Sequence, residues 1–448
     1  MNHISGSGST GVQATSATDD PLYKRLSWRI LPLLLISYMV AYIDRVNVGF
    51  AQLQMKASLG FSDAAIGLGT GLMFVGYFLF EVPSNLLLER IGARKTLLRI
   101  MFCWGIVAAA TMFVATPMQF NIARFLLGVF EAGFFPGVIL YLTYWYPSAR
   151  RGRVIGTFMT APIAASIVAG PLTGATMKYL NGVNGWEGWQ WVYLTQGLPA
   201  VILGIIIYFT LKDKPDQATW LSTEDRATLV RNLANDKVEK VASHGSVAGE
   251  LLRDPRLYAL ALADFLLIGS SYVMVFWMPT LIKSWGISDV FEIGLYSAVP
   301  AITGVVGMLL MSWSSDRFQE RRWHFLAAVL IAAVGLALTT VTQGQFLPSM
   351  AALCLSVFGL VSATPIFMTA LSEYLPRKVS AAGLALITSV GILGGAAGPA
   401  VTGFLNTTTG STIATIYFII GELILAGILV LFTLRRSRIA AAQQSQPA

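Results

Sequence analysis

The chain has 448 residues, of which 12% are charged and 55% are hydrophobic, and its mean hydropathy is +0.65. Soluble domains contain about 25% charged and 45–50% apolar residues, so this composition excludes a soluble globular protein and indicates an integral membrane protein. The formal net charge of +8 is explained by basic residues beside anionic lipid headgroups and gives no reason to expect nucleic-acid binding.

The first element is a polar N-terminal segment, residues 1–27. Its beginning, MNHISGSGSTGVQATSATDDP, is rich in Ser, Thr and Gly and lacks the apolar core of a signal peptide. We expect a disordered cytoplasmic tail, followed by an apolar run that acts as the insertion signal. The two cysteines, Cys103 and Cys354, fall in apolar runs far apart in sequence, so no disulfide framework is expected.

Twelve apolar runs follow this tail, each long enough to cross a hydrocarbon core of about 30 Å as a helix. The expected fold class is therefore an all-α membrane protein with twelve transmembrane helices. Six helices fall in an N-terminal half, residues 28–211, and six in a C-terminal half, residues 257–434. The runs lie near residues 28–50, 64–88, 97–115, 119–144, 153–178, 191–211, 257–282, 292–314, 324–342, 346–371, 380–405 and 412–434.

The first helix carries two adjacent charges, Asp44 and Arg45, near or somewhat beyond its middle. A charge at the centre of a membrane helix costs about 2.5–3.5 kcal/mol on insertion scales, so it persists mainly where it faces water, a partner or a substrate. Adjacent side chains point about 100° apart on a helix, so these two are expected to make separate contacts. A place in a substrate pathway is the favoured interpretation, and a neutralising pair that only holds helices together is the alternative.

The fourth helix carries Arg124 and Glu131, seven residues apart on one face and about 10 Å apart along the axis. Because this spacing is long for an ion pair, Arg124 is expected to meet an acid of another helix, with Asp44 as the first candidate. Glu131 would then lie unpaired in the membrane, where desolvation favours the neutral acid that a proton carrier requires. A purely structural Glu131 is the alternative. The small residues and Pro136 of AGFFPG permit close packing or a bend.

The longest polar stretch, residues 212–256, joins the two halves. Within it, STEDRATLVRNLANDKVEKV begins with a capping pattern of Ser222 and Asp225, which predicts an amphipathic helix. We expect a tether that lies on lipid or packs on the protein, and a regulatory binding site is the alternative. The expected apolar face comprises Val230, Leu233, Ala234, Val238 and Val241.

The second half repeats the first at an offset of about 227 residues. LGFSDAAIG at 59–67 matches WGISDVFEIG at 285–294, LERIGARK matches SSDRFQER, and AGPLTG at 169–174 matches AGPAVTG at 397–403. Because the shift spans six helices, an even number, both halves enter the membrane in the same direction. We therefore predict two parallel six-helix repeats with a substrate site at their interface near mid-membrane.

Basic residues cluster on one side of the predicted helices, at ERIGARKTLLR, SARRGR, SDRFQERR, PRK and RRSR. The loops on the other side carry only Lys56, Lys178 and Lys283. Since Lys and Arg near helix ends are retained in the cytoplasm, both termini, including a C-terminal tail of residues 435–448, are expected to be cytoplasmic.

Several motifs resemble those of the major facilitator superfamily. NLLLERIGARK is similar to its loop motif between helices 2 and 3, with Glu89 in place of the usual Asp and Asn85 where Gly is preferred. DRVNVGFA, RFLLGVFEAGFFPG and LKDKPDQATWLSTED together resemble the anion:cation symporter branch. This resemblance covers residues 23–434 and implies a carrier of organic anions such as sugar acids, tartrate, phthalate or hydroxyphenylacetate, usually coupled to protons.

The resemblance also implies roles for single residues. In sugar-acid symporters of this branch, the acids that match Asp44 and Glu131 are the proposed proton sites, and a tyrosine that matches Tyr77 contacts the substrate. Some of those carriers have an Asn in helix 11 and a Trp in helix 10. Both are missing at the equivalent places here, which argues against a polyhydroxylated substrate.

Arg45 is the first candidate for binding a substrate carboxylate, because a guanidinium group binds a carboxylate in a bidentate fork. Hydroxyl groups in helices 10 and 11 are candidates for further substrate contacts, with ordinary helix packing as the alternative for each. These hydroxyl groups belong to Ser362, Thr364, Thr388 and Ser389.

The loop motif and its repeat predict conformational latches. Glu89 lies near one helix end with Arg90 and Arg94 after it, so interhelical ion pairs can hold one conformer. Asp316 and Arg317 repeat the device in the second half.

Three further acids, Glu81, Asp264 and Glu422, lie within predicted helices. Glu81 is near the end of helix 2 and is interpreted as structural. No motif assigns a role to Asp264 or Glu422.

The rival classes are enzymes, exporters and receptors. The sequence has no metal-ligand cluster, phosphate loop or nucleophile with a base, so neither catalysis nor a metal or other cofactor is expected. AGPLTG resembles a motif of drug antiporters, but its repeat in AGPAVTG fits a symmetric packing element better. We therefore predict a monomeric bacterial inner-membrane importer of a small organic carboxylate, by proton symport with alternating access. Export of organic anions or drugs is the alternative.

Overall fold

The computed structural model describes residues 20–237, 253–375 and 380–434, and every regular element within these ranges is helical. Twelve spans are long and apolar enough to cross a membrane, as predicted, and are numbered α1 to α12. The predicted tail at residues 435–448 lies outside the described residues. The helix bounds are Asp20–Val46 and Val48–Leu59 (α1), Asp63–Ile91 (α2), Ala93–Ala110 (α3), Pro117–Glu131 and Phe134–Thr143 (α4), Ser148–Phe158 and Thr160–Tyr179 (α5), Gly188–Thr210 (α6), Thr223–Lys237 (linker helix), Pro255–Ser284 (α7), Val290–Phe318 (α8), Arg322–Val341 (α9), Phe346–Tyr374 (α10), Ser380–Thr409 (α11) and Thr412–Thr433 (α12).

α1 begins earlier than predicted, because the end of the segment that we expected to be a disordered tail is helical. Leu22, Tyr23 and Leu26 are buried in the core of the N-terminal half. Three apolar residues on one side of a helix suffice to bury these turns, although the surrounding sequence is polar. Residues 1–19 of the predicted tail lie outside the described residues.

α4 is broken in the membrane at Gly133, which has a φ of +86°. A Cβ atom at this position would lie 2.5 Å from Ser84 Oγ, so both the backbone conformation and the available space require glycine. The bend that we predicted around Pro136 therefore comes three residues earlier. Pro136 lies in the first turn of the following helix, where its missing N–H group is tolerated.

The two halves meet through two helix pairs, α2 with α11 and α5 with α8. The internal repeat relates α2 to α8 and α5 to α11, so the two pairs are equivalent. Small residues let the backbones approach closely. A Cβ on Gly67 would lie 2.3 Å from the Pro399 carbonyl oxygen, and one on Gly170 would lie 2.5 Å from that of Gly294. Gly170 and Pro399 belong to the AGP motifs, so the predicted symmetric packing element and the parallel repeat are confirmed.

The covalent connection between the halves and the hydrogen bonds between their described residues lie toward different ends of the molecule. We call the end that carries the connection between α6 and α7 the linker end, and the other the opposite end. Hydrogen bonds between described residues of the two halves begin near mid-membrane and continue toward the opposite end. They join Arg45 Nη1 to Tyr272 OH at 3.0 Å, Gln52 Nε2 to Phe276 O at 2.6 Å, Ala64 N to Thr407 Oγ1 at 2.8 Å, and Lys178 Nζ to Asp289 Oδ2. In this conformer the protein is closed toward the opposite end.

The linker helix packs on the protein at the linker end. Ser222 Oγ accepts a hydrogen bond from the Asp225 backbone N–H at 3.0 Å, as the capping pattern predicted, and Arg25 Nη2 forms an ion pair with Asp225 at 2.8 Å. Leu229 is fully buried, whereas Val230 is 46% exposed and Ala234 is exposed as well, so the predicted apolar face was wrong at those two positions. The helix turns by about 100° per residue, and docking on α1 selects the face of Leu229. The predicted face residues Val238 and Val241 lie outside the described residues.

Candidate functional site

The charged residues of α1 and α4 belong to one cluster of side chains, which is the candidate site. The Arg45 guanidinium forms an ion pair with Glu131 and donates a hydrogen bond to Tyr272 OH at 3.0 Å. It also lies 5.5 Å from the centre of the Tyr77 ring, a cation–π distance. The Arg45 side chain is 18% exposed and that of Glu131 only 2%. Since Tyr272 belongs to α7, this cluster lies where the two halves touch.

Both members of the ion pair lie at the end of a helical piece. Arg45 is in the last turn of the first piece of α1, and Glu131 is the last residue of the first piece of α4. The carbonyl end of a helix carries partial negative charge, which stabilises a cation and destabilises an anion. Among the described residues, Arg45 alone forms an ion pair with Glu131, so the Glu131 anion depends on Arg45.

Asp44 has a separate set of partners, as its position beside Arg45 predicted. Its carboxylate accepts hydrogen bonds from Trp104 Nε1 at 2.7 Å and from Asn47 Nδ2 at 3.1 Å. Asp44 is 1% exposed, so both donors compensate for its lost contact with water.

The predicted ion pair of Arg124 with Asp44 is not formed among the described residues. Arg124 Nη2 instead donates to Met73 Sδ at 3.1 Å, and its Nε and Nη1 have no hydrogen-bond partner in the described part of the chain. The Asp44 carboxylate already accepts hydrogen bonds from Trp104 and Asn47. The expectation of an unpaired Glu131 was also wrong, because Arg45 reaches it. Arg124 remains within electrostatic range of Asp44.

No hydrogen bond links Arg45 to any of the four hydroxyl groups that were predicted to contact the substrate, among the described residues. Ser362 Oγ donates to the Phe358 carbonyl at 2.6 Å, and Thr388 Oγ1 donates to the Leu384 carbonyl at 2.9 Å, each within its own helix. The hydroxyls of Thr364 and Ser389 are half-buried, and no hydrogen bond joins either of them to a described residue.

The first-half latch is not closed in this conformer. Glu89 and Arg90 are exposed and form no ion pair with a described residue. The Arg94 backbone N–H donates to Asp213 Oδ1 at 2.8 Å, and its guanidinium lies 4.6 Å from the Tyr208 ring centre. Asp213 therefore occupies the start of α3, where carboxylates are favoured by the helix dipole.

The predicted ion pair of Asp316 with Arg317 is not formed in the described part of the chain. Arg321, rather than Arg317, pairs with Asp316 at 2.6 Å and with Glu373 at 3.0 Å. Arg317 lies over the Trp313 ring at 5.9 Å. The sequence placed every latch at the linker end, so it also missed the ion pair of Lys178 with Asp289 at the opposite end.

Tyr272, Trp104 and Asn47 are site residues that the sequence reasoning missed. The repeat contains a signal for Tyr272, since it lies 227 positions after Arg45, at the offset of the internal duplication. Residues that correspond in two parallel repeats approach each other at the symmetry axis between them. Nothing comparable in the sequence indicates Trp104.

The family is decided by a match over most of the chain. The sequence profile of the Major Facilitator Superfamily matches residues 34–398 and, in a second overlapping match, residues 289–447. The chain belongs to the major facilitator superfamily. It is thus a multi-pass membrane transporter of small molecules rather than an enzyme, and the predicted family and fold are confirmed.

This major facilitator protein is similar to several known transporters along nearly its whole length. It is 42% identical over 410 residues to a Pseudomonas putida protein named as the metabolite transport protein NicT, covering 92% of this chain and 94% of that one. It is 42% identical over 424 residues to an Agrobacterium vitis protein named as a tartrate transporter, covering 94% and 93%. It is 41% identical over 396 residues to a quinolone resistance transporter of Acinetobacter baumannii, covering 88% and 91%.

Solved structures share the fold at low sequence identity. A D-xylose-proton symporter superposes with a TM-score of 0.70 at 15% identity, covering 90% of this chain and 97% of that one. A bacterial homologue of the human lysosomal transporter Spinster, in an inward-facing and occupied conformation, gives 0.68 at 18% identity, covering 94% and 96%. This likeness supports the fold alone.

Proposed function

We propose that the protein imports a small organic carboxylate together with protons across a bacterial inner membrane. The observation that supports this function most is the ion pair of Arg45 with Glu131 at the contact between the halves. A cation suited to carboxylates and an acid suited to carry a proton thus share one site. Relatives named as tartrate and metabolite transporters support a small organic acid as the substrate.

Competition for Arg45 couples the two ligands. A substrate carboxylate that takes the bidentate fork of Arg45 displaces Glu131. The displaced Glu131 is buried at the negative end of a helix, where it is stable once it has bound a proton. Each ligand therefore favours binding of the other, and this coupling is reciprocal.

Asp44 is the second proposed proton site, with Arg124 as the neighbouring charge that modulates it. A protonated Asp44 no longer neutralises Arg124, so proton binding at Asp44 changes the electrostatics of α4. Tyr77 is proposed to flank the bound carboxylate through its contact with Arg45. The hydroxyls of Thr364 and Ser389 remain proposed substrate contacts, as do those of Ser362 and Thr388 after release from their own helices.

The proposed orientation places the linker end in the cytoplasm, following the excess of Lys and Arg at that end. The conformer described here is then inward-facing. In the outward-facing conformer, Glu89, Arg90 and Arg94 are proposed to form the latch at the linker end. The protein is proposed to act as a monomer, since one chain contains both halves of the pathway.

The test is uptake of a labelled organic acid by purified protein in liposomes with an imposed inward proton gradient. Anion import against an inside-negative potential costs about 2.3 kcal/mol per charge per 100 mV, so accumulation requires protons. Glu131→Gln mimics the protonated acid and should still bind and exchange substrate, but lose accumulation. Glu422→Gln, a buried acid outside the site, is the matched control and should accumulate substrate normally. Concentrative uptake by Glu131→Gln at the wild-type level would remove this residue from the proton pathway.

Export is the second candidate function, favoured by the 41% identity to a quinolone resistance transporter. The direction of the gradient separates the two functions in the same liposomes. A symporter accumulates its substrate when the outside is acidic, whereas a proton antiporter accumulates it when the inside is acidic. Accumulation of a quinolone under the second condition alone would support export and contradict the proposed import.

A further inference from the structure

A cavity of about 210 Å³ lies between the two halves, against the helices α1 and α7 that carry Arg45 and Tyr272. Its walls come from α1, α5, α7, α8 and α10, so both halves contribute to it. It lies next to the contact of α5 with α8, since Gly170 lines it as well. Neither the proton sites nor the hydroxyl candidates line this cavity.

The lining is almost entirely apolar. Of its seventeen residues, only Tyr42, Ser166 and Ser297 have a polar side-chain atom. Both serine hydroxyls are engaged within their own helices, Ser166 Oγ with the Ile163 carbonyl at 2.8 Å and Ser297 Oγ with the Ile293 carbonyl at 2.8 Å. A hydroxylated ligand would find few partners here.

The cavity shares two helices, α1 and α7, with the carboxylate site. Val46 follows Arg45 in α1 and lines the cavity, as does Tyr42 one turn earlier. Val275, one turn after Tyr272 in α7, lines it as well. A ligand with a charged end on Arg45 can therefore extend an apolar body into this space.

The volume suits one aromatic ring. Engineered cavities of about 150 Å³ lined by aliphatic and aromatic side chains stay dry and bind benzene. The present cavity is larger and is lined by residues of the same kind, such as Phe50, Val305, Met308 and Val361.

We infer that the substrate is a monocarboxylate with an apolar, ring-sized body, which occupies this cavity while its carboxylate binds Arg45. This inference rests on the proposed function and chooses among the organic acids that the sequence left open. Tartrate and sugar acids are disfavoured, because their hydroxyl groups would lose water without gaining hydrogen bonds. Aromatic monocarboxylates such as benzoate and phenylacetate fit both the charge and the space.

The first experiment measures binding of benzoate, phenylacetate, tartrate, gluconate and neutral benzamide to the purified full-length protein by calorimetry. The aromatic acids should bind at least about tenfold more tightly than the hydroxylated acids, and more tightly than benzamide. Tighter binding of tartrate or gluconate would overturn the inference but leave the carboxylate function standing. Equal binding of benzamide and benzoate would instead contradict the carboxylate site.

The second experiment fills the cavity. Ala301→Phe should weaken benzoate binding by at least about tenfold, because the new ring occupies the space of the ligand. Ala337→Phe makes the same change at an exposed position of α9 and should leave benzoate affinity unchanged. Val361→Thr keeps the shape but adds a hydroxyl to the cavity wall, and should weaken benzoate binding about threefold or more, with the thermal unfolding midpoint measured beside it to show that the variant is folded. Unchanged benzoate affinity in both cavity variants would overturn the inference, as expected if the cavity holds a lipid chain instead.

Discussion

The two halves of the molecule treat buried charge differently. The N-terminal half buries two acids and one base and places the partly exposed Arg45 beside them, whereas the described part of the C-terminal half buries two acids without a base. In the N-terminal half, Arg45 pairs with Glu131, and Asp44 is hydrogen-bonded near Arg124. Charges of both signs are thus available on neighbouring parts of α1 and α4, which is where coupled ligands are expected.

The acids of the C-terminal half have weaker support. Asp264 Oδ1 has no hydrogen-bond partner among the described residues, and its carboxyl group packs on Gly391, where a Cβ would lie 2.1 Å from Oδ2. Glu422 accepts one hydrogen bond, from Ser270 Oγ at 3.0 Å. Burying an unpaired carboxylate costs far more than burying the neutral acid. We infer that, among the described residues, ion pairing of buried acids is confined to the N-terminal half and that the C-terminal half provides a neutral wall at the site.

The largest expected effect comes from removing the base of the ion pair. Arg45→Met leaves Glu131 as a buried carboxylate without its partner, and breaking a buried pair in this way costs about 3–5 kcal/mol. The midpoint of thermal unfolding of purified protein at neutral pH should fall accordingly. Carboxylate binding should be lost as well, because no other cation contacts Tyr77 and Tyr272 in the described part of the chain.

A second substitution separates charge from packing in that experiment. Arg45→Met combined with Glu131→Gln removes both charges, so the double variant should regain most of the lost thermal stability while remaining unable to bind carboxylates. Arg231→Met, at an exposed position of the linker helix, is the matched control and should unfold like the wild type. A double variant that is less stable than Arg45→Met would contradict the assignment of the ion pair.

The next effect tests how Asp44 is held. Trp104→Phe removes the indole N–H that donates to Asp44, and hydrogen bonds to charged groups contribute about 1.5–3 kcal/mol. Thermal stability should fall by that amount, and gradient-driven uptake should change because Asp44 is freed. Trp313→Phe, at a site that is 61% exposed, should change neither quantity. A Trp104→Phe protein with wild-type stability would show that Asp44 is not a buried charge.

Sequence was a good guide to the fold because the relevant signals are local. The length of an apolar run is set by the membrane thickness, so twelve helices could be counted directly. The repeated AGP motifs also indicated a symmetric packing element, which the structure places between the halves at Gly170 and Pro399. The separate contacts of Asp44 and Arg45 followed from helical geometry alone.

The ion-pair partners of the buried charges could not be predicted from the sequence, because they depend on where helices bend. Which residue of α4 faces Arg45 depends on the break at Gly133, which ends the first helical piece just after Glu131. The pattern predicted a bend near Pro136 but not its position, and a shift of a few residues changes the partner. Trp104 could not be found either, because a buried tryptophan in α3 has no distinguishing pattern in an apolar run.

Tyr272→Phe should have a smaller effect, and it tests the contact between the halves. It removes one hydrogen bond from Arg45, whose side chain is 18% exposed, so water replaces the lost partner and the cost is about 1 kcal/mol. Benzoate affinity should fall a few-fold, with little change in thermal stability. Tyr417→Phe, 60% exposed on α12, is the control. Unchanged affinity would mean that the C-terminal half does not assist Arg45.

The smallest effect is expected for Asp264→Asn. If Asp264 is already neutral in the folded protein, Asn has nearly the same size and charge. The free energy of unfolding should then change by no more than about 0.5 kcal/mol. Asp44→Asn, the matched change in the N-terminal half, should cost more, because it removes a charge that accepts two hydrogen bonds.

Liposomes with an inward proton gradient then provide the functional comparison. Asp264→Asn should accumulate substrate like the wild type, whereas Asp44→Asn should not. Loss of accumulation by Asp264→Asn with intact binding would place a proton site in the C-terminal half. The contrast between a charged half and a neutral half would then no longer hold, and at least one further acid would have to be included in the proton pathway.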